Sequence, residues 1–175
     1  EEVGEILGLV QGKKKSQGSQ PVSRSRATLN SLDGPSYLVG LKSDGVRYFL
    51  FLTMRDSVPV AVMVDRAHNV YEVDVLATED HFLRGTLLEG ELVWKSPDCS
   101  NQYFYIFDAL RIRGEDLTSL PFQTRLERVH SLTKLSEELS RLEDRSEMAL
   151  RISETDSPVL LSLNPSVHVR PKTFV

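Results

Sequence analysis

A single cysteine, Cys99, among 175 residues rules out an internal disulfide and fits a reducing compartment. Histidine is equally sparse: His68, His81, His130 and His168 are scattered, and with one thiol they offer no ligand spacing for a structural zinc ion. No apolar run approaches the roughly 18 residues that cross a bilayer and no signal peptide is visible, so no membrane partner is expected. Nor is there an excess of positive charge. The formal net charge of -4 argues against an indiscriminate nucleic-acid binder, while leaving room for a local basic groove. A starting methionine is also lacking at Glu1, which leads to the expectation of a trimmed chain. What remains is ordinary: 40% hydrophobic and 26% charged residues, enough for one domain with a sizeable core.

Along the chain, Val3, Ile6, Leu7 and Val10 recur at helical spacing. Residues 11–19, with Lys13, Lys14 and Lys15 between glycines, read as a flexible, solvated loop. From Tyr37 the pattern becomes strand-like. Tyr48 to Leu52 suits a pleated, buried surface. Val58 to Val64 and Val70 to Val75 read as a hairpin around the polar turn Asp65 to Asn69. After Asp116 the period lengthens: Pro121 suits a first helical turn, and Phe122, Leu126, Val129, Leu132, Leu135, Leu139 and Leu142 mark one face, so 121–152 is expected to be largely helical. That stripe fits a core-facing helix better than a coiled-coil contact, because the heptad fades after Leu142. Two last strands are expected over Pro158 to Leu163 and Val167 to Arg170.

The chemistry-bearing string is Lys42-Ser43-Asp44-Gly45-Val46-Arg47, set between apolar runs. On a strand, Lys42 and Asp44 would share one face. Gly45 leaves room for a tight connection or a ligand's close approach. An amine near arginine and partly buried has a lowered pKa and becomes a nucleophile. A solvated hairpin edge is the plainer reading of the same residues. Downstream, Glu89-Gly90-Glu91 places two carboxylates at i and i+2 on one strand face, where they disfavour each other unless a cation is near. Tyr103 to Asp108 is an aromatic strand that core packing largely explains.

The Lys42 string resembles the Lys-x-Asp-Gly-x-Arg signature of the covalent nucleotidyltransferases, the superfamily of mRNA capping guanylyltransferases and ATP-dependent polynucleotide ligases. Gln20-Pro21-Val22-Ser23 resembles a segment found ahead of the nucleophile in cellular capping guanylyltransferases, which favours GTP over ATP. Val64 to Tyr71 is similar to their Ile-Asp-Arg-x-x-x-Val-Phe segment, Glu89-Gly90-Glu91-Leu92 to Asp-Gly-Glu-Leu with glutamate in the first place, and Phe107-Asp108-Ala109 to the motif whose aromatic stacks on the purine. The five matches occur in the family's order.

The resemblance implies an α+β fold of mostly antiparallel sheets with flanking helices, a nucleotidyltransferase-type domain of which 1–175 is the N-terminal part. The family's later Lys-x-Lys pair and oligonucleotide-binding-fold domain find no counterpart in this sequence, so a fragment of a larger enzyme is expected. Implied roles are Lys42 as nucleophile, Arg47 and Arg66 on phosphate and ribose-side charge, Glu91 on the sugar and on a divalent metal, Phe107 on the base, and Asp44 orienting the lysine or the metal. Implied partners are Mg²⁺ or Mn²⁺, GTP, the 5′-diphosphate end of RNA, and an RNA polymerase II tail or another capping subunit. The implied compartment is the nucleus, or the cytoplasm for a viral protein. A ligase-type adenylylating domain and a non-catalytic interaction module stay open as alternatives.

Overall fold

The computed structural model describes residues 25, 37–94, 102–139, 158–160 and 167–174. These fall in two units. The first comprises Glu1–Lys42 and Lys172–Val175, and its described residues include an antiparallel bridge from Gly40 to Phe174. The second, Ser43–Pro171, holds the main sheet. The helix expected over Val3 to Val10, the loop at 11–19, the Gln20 to Ser23 segment and the helical stretch expected over 140–152 lie outside the described residues.

In chain order the second unit runs β1 (Val46–Arg55), β2 (Val58–Val64), β3 (Val70–Val73), β4 (Leu76–Thr78), α1 (Glu79–Leu83), β5 (Thr86–Trp94), β6 (Gln102–Ile112), β7 (Glu115–Asp116), α2 (Phe122–Leu139), β8 (Pro158–Leu160) and β9 (Val167–Pro171). A seven-stranded sheet has the order β3-β2-β1-β5-β6-β7, with β9 also against β6. Its neighbours are antiparallel except for β6 and β9, which run parallel. The fold is thus the mostly antiparallel α+β arrangement expected. β4 and β8 form a separate two-stranded pair.

Turn chemistry sets the hairpins. Asp56 and Ser57 have φ of 51° and 65°, and Arg113 and Gly114 have φ of 50° and 79°. Two consecutive left-handed residues twist a two-residue turn to match the strands it joins, which fixes the β1–β2 and β6–β7 registers. The longer β2–β3 turn is tied by Asp65, whose carboxylate accepts from Ala67 N, Asn69 N and Asn69 Nδ2 at 2.8–2.9 Å. The hydrogen bonds from Asn69 lead in holding the Asp65 carboxyl below its ordinary pKa.

Alternation along paired strands divides the sheet into two faces. One carries Leu50, Leu52, Ala61, Met63, Leu88, Leu92, Phe104 and Ile106, joined by Phe82 of α1 and Val129 of α2 in a continuous buried cluster. The other carries Arg47, Glu89, Glu91 and Phe107. Gly90 lies between the two carboxylates on the core face. A Cβ there would stand 2.5 Å from Phe104 Cζ and 2.6 Å from the Tyr105 carbonyl oxygen, so only glycine admits the Phe104 ring. Within α2, Val129 is fully buried, and buried Thr133 donates to the Val129 carbonyl at 3.3 Å, satisfying its hydroxyl on the preceding turn.

α1 buries a polar side chain. His81 is 2% exposed, with Nδ1 3.1 Å from Thr86 Oγ1, which also accepts from Arg113 N. Burial, aided by Arg113 and opposed by Asp80, pushes the imidazole down from 6.5 to about 4. The unfolded chain therefore binds a proton that the folded one refuses between these values. Stability from His81 should be complete above pH 6.5, fall as pH drops, and level off below about 4, with a total loss of about 3 kcal/mol. Urea midpoints measured from pH 7 to 4.5 should show this slope, and His81→Gln should flatten it.

Candidate functional site

On the face opposite the core, the β1–β5 register sets Arg47 across from Glu91 and Phe49 across from Glu89. Diagonal neighbours on a sheet face are within reach of a long side chain, and Arg47 Nη2 donates to Glu89 Oε1. Glu89 is fully buried, and the Arg47 side chain is 18% exposed. The mutual repulsion expected of the two carboxylates is thereby relieved: one is neutralised by Arg47, and the other turns to the backbone. Glu91 Oε1 accepts from Gly45 N at 3.1 Å.

That hydrogen bond explains a departure from expectation. The strand foreseen through Lys42 and Asp44 does not form. The first rung of the ladder is Val46 to Leu92, and Gly45 gives its amide to the Glu91 side chain instead. A Cβ on Gly45 would meet Leu92 O at 2.3 Å and Glu91 Cγ at 2.9 Å. The glycine therefore permits close approach of protein backbone, where a ligand had been an equal expectation.

β6 contributes the next part of the wall. Its register against β5 shifts between Glu89 and Gly90: Gly90 opposes Ile106 and Glu89 opposes Asp108, so Phe107 is an extra residue, a β-bulge. The Arg47 guanidinium lies 5.7 Å from the centroid of the half-buried Phe107 ring, covering one of its faces. Burial first, then the like charge of Arg66, lower the Arg47 pKa, with Asp108 opposing; a guanidinium nonetheless stays charged. Arg47, Arg66 and Glu91 line a cleft of about 450 Å³ with Gly45, Val46, Asp65 and Ala67. Arg66 is exposed on the turn that Asp65 ties together.

Of the residues singled out from the sequence, Arg47, Arg66 and Glu91 line one cleft, with Phe107 beneath Arg47. Asp44 is exposed, just ahead of β1, and is not among the residues lining that cleft. Lys42 belongs to the other unit, and its side chain is exposed. Among the described residues no three of His, Cys, Asp and Glu cluster as a ready-made metal cage. The half-exposed Glu91 on the cleft wall does fit the small protein share that Mg²⁺ takes when phosphates supply most of its oxygens.

Sequence reasoning left Glu89 without a role and passed over Asp108 and Arg125. Asp108 is 1% exposed and receives Arg125 Nε at 2.7 Å and Nη2 at 2.9 Å, a two-pronged ion pair between β6 and α2. The signal for Glu89 and Asp108 was an acidic residue inside an otherwise apolar strand. For Arg125, 17 residues beyond Asp108, no local signal existed.

Comparison with known proteins gives the family. The family model described as mRNA capping enzyme, catalytic domain, matches residues 3–164, and the chain belongs to that family. It is similar to an mRNA-capping enzyme subunit alpha of Neurospora crassa, 33% identical over 143 residues that cover 72% of this chain and 34% of the relative. An mRNA-capping enzyme of Caenorhabditis elegans is 30% identical over 118 residues, 63% of this chain and 18% of that protein. The corresponding subunit of Schizosaccharomyces pombe is 35% identical over 109 residues, 55% and 27% respectively. The matched region thus spans about a fifth to a third of these relatives.

A buried ion pair resists loss of one partner more than loss of both. Replacing Glu89 with glutamine should remove the buried counter-charge that Arg47 meets on β5 and lower stability by about 3 kcal/mol, read from urea unfolding. An unchanged midpoint would mean that the pair does not hold β1 to β5.

Proposed function

We propose that this chain forms part of an mRNA guanylyltransferase, which takes GMP from GTP onto Lys42 and passes it to the 5′-diphosphate end of RNA. The observation that carries the reading is the gathering of Arg47, Arg66 and Glu91 around one cleft, with Phe107 under Arg47, in a member of the capping-enzyme catalytic family. Lys42 takes the role of nucleophile from its place in the Lys-x-Asp-Gly-x-Arg string.

In the first step the neutral Lys42 amine attacks the α-phosphorus of GTP. An N–P bond forms, the bond to the bridging oxygen breaks, pyrophosphate leaves and the amine loses its proton to solvent. In the second step a terminal oxygen of the RNA diphosphate attacks the same phosphorus, and the N–P bond breaks. Lysine takes back a proton. Arg47 and Arg66 offer fixed positive charge to the phosphates, the positioning and electrostatic work that phosphoryl transfer demands. Glu91, anchored at one oxygen by Gly45 N, receives the ribose hydroxyls and would hold the divalent cation, Mg²⁺ or Mn²⁺, which neutralises phosphate charge when bound. Phe107 offers an aromatic surface to the base, a contact worth about 1–3 kcal/mol in comparable systems. Asp44 is assigned to orienting the lysine or the metal. The nucleus is the compartment such an activity implies.

Incubation with α-labelled GTP or ATP and a divalent cation, followed by denaturation, tests the reading. Label should be retained from GTP and lost in Lys42→Ala. Arg47→Ala and Arg66→Ala should each lower the rate of adduct formation roughly 10²-fold. Label from ATP alone would assign the chain to the ligase branch. Label from neither nucleotide would overturn catalysis by this chain and favour a non-catalytic interaction module.

A further inference from the structure

We propose that Arg125 is a positioning residue for the cleft: its clamp on Asp108 fixes the bulge of β6 that presents Phe107, and keeps the Asp108 carboxylate from competing for Arg47. The inference rests on the reading above for its consequence in nucleotide binding, but not for the clamp itself.

The geometry is specific. Phe107 and Asp108 are consecutive, and the bulge turns both to the cleft face, so whatever holds one side chain limits the other. Both Asp108 oxygens are engaged by Arg125, and Oδ1 also accepts from Ala109 N at 2.8 Å. Arg125 is itself fixed from two further sides, donating through Nη1 to the Leu120 carbonyl at 2.6 Å and lying 5.5 Å from the Phe122 ring centroid. The guanidinium is thus a rigid fork anchored at the start of α2. A lysine, with one point of charge, cannot reproduce it.

Charge balance gives the clamp its second effect. Among the described residues the interior of this wall holds two carboxylates, Glu89 and Asp108, and two guanidiniums, Arg47 and Arg125, with Arg47 bonded to Glu89 and Arg125 to Asp108. Asp108 already acts electrostatically on Arg47. With Arg125 removed, one guanidinium would face two buried carboxylates. Arg47 would be drawn deeper, away from an incoming phosphate.

Arg125→Gln, Arg125→Lys and the double variant Asp108→Asn/Arg125→Gln test this in the intact chain. Site-resolved amide exchange is the first readout, with Ala109 N as the reporter of the clamp. Arg125→Gln should speed exchange at Phe107 to Ala109 about tenfold or more, and leave Phe51 and Val62 in the β1–β2 hairpin nearly unchanged. GTP binding, the second readout, should weaken about tenfold in Arg125→Gln and less in Arg125→Lys, and recover in part in the double variant, where the stranded carboxylate is gone. Unchanged exchange at Ala109, or a uniform rise throughout the sheet, would overturn the proposal. A local rise at Ala109 in a chain whose wild type does not bind GTP would uphold the clamp and sink the nucleotide reading instead.

Discussion

The pairing of Arg47 with a fully buried glutamate is the constraint on which the cleft depends. Glu89 cannot sit at zero exposure as an anion without a cation against it, and Arg47 is the cation the β1–β5 register supplies. The pair joins adjacent strands on the face the core does not use, and sets the height of the guanidinium above Phe107. It also settles the charge beside Glu91. With its neighbour neutralised, this carboxylate faces the cleft and engages the Gly45 amide, so the chain entering β1 is held at a fixed distance from β5.

Two other features build on that base. Gly90 lets Phe104 press against the back of β5, so the strand bearing both carboxylates is supported from the core side where a Cβ would collide. The Asp65 turn fixes the backbone beneath Arg66 while the side chain stays exposed. Rigid strands position Arg47, Glu91 and Phe107, and a tied turn offers Arg66. Precision and reach are divided between them.

Much of this was legible in the sequence, because period-two alternation and turn residues mark strands directly. β1, β2 and the β2–β3 turn fall close to where the pattern of Tyr48 to Val75 puts them, and Arg47 and Glu91 stand out as charge beside apolar runs, whereas Arg66, in a polar turn, is singled out by the family resemblance alone. What escaped were features set by tertiary contact. The end of β1 at Val46 depends on Gly45 bonding a side chain of another strand, and the parallel seating of β9 on β6 depends on a distant segment. Arg125 belongs to a helix whose apolar stripe marks the core-facing side, where Val129 is buried, and it lies beside that stripe without a signal of its own.

The shifted register of β6 is the feature with the widest reach. A second irregularity follows the first: Leu88 opposes Ala109 and Leu87 opposes Arg111, which leaves Leu110 as another extra residue. The two offsets add, so β6 runs two residues ahead of β5 by Arg111. Gln102 to Ile106 pair with β9 on one side of that stretch, and Arg111 and Ile112 pair with β7 on the other. Residues 107–110 therefore let β6 gain two residues on β5 while its side chains return to the faces they held before, so that Arg111 shares a face with Tyr105.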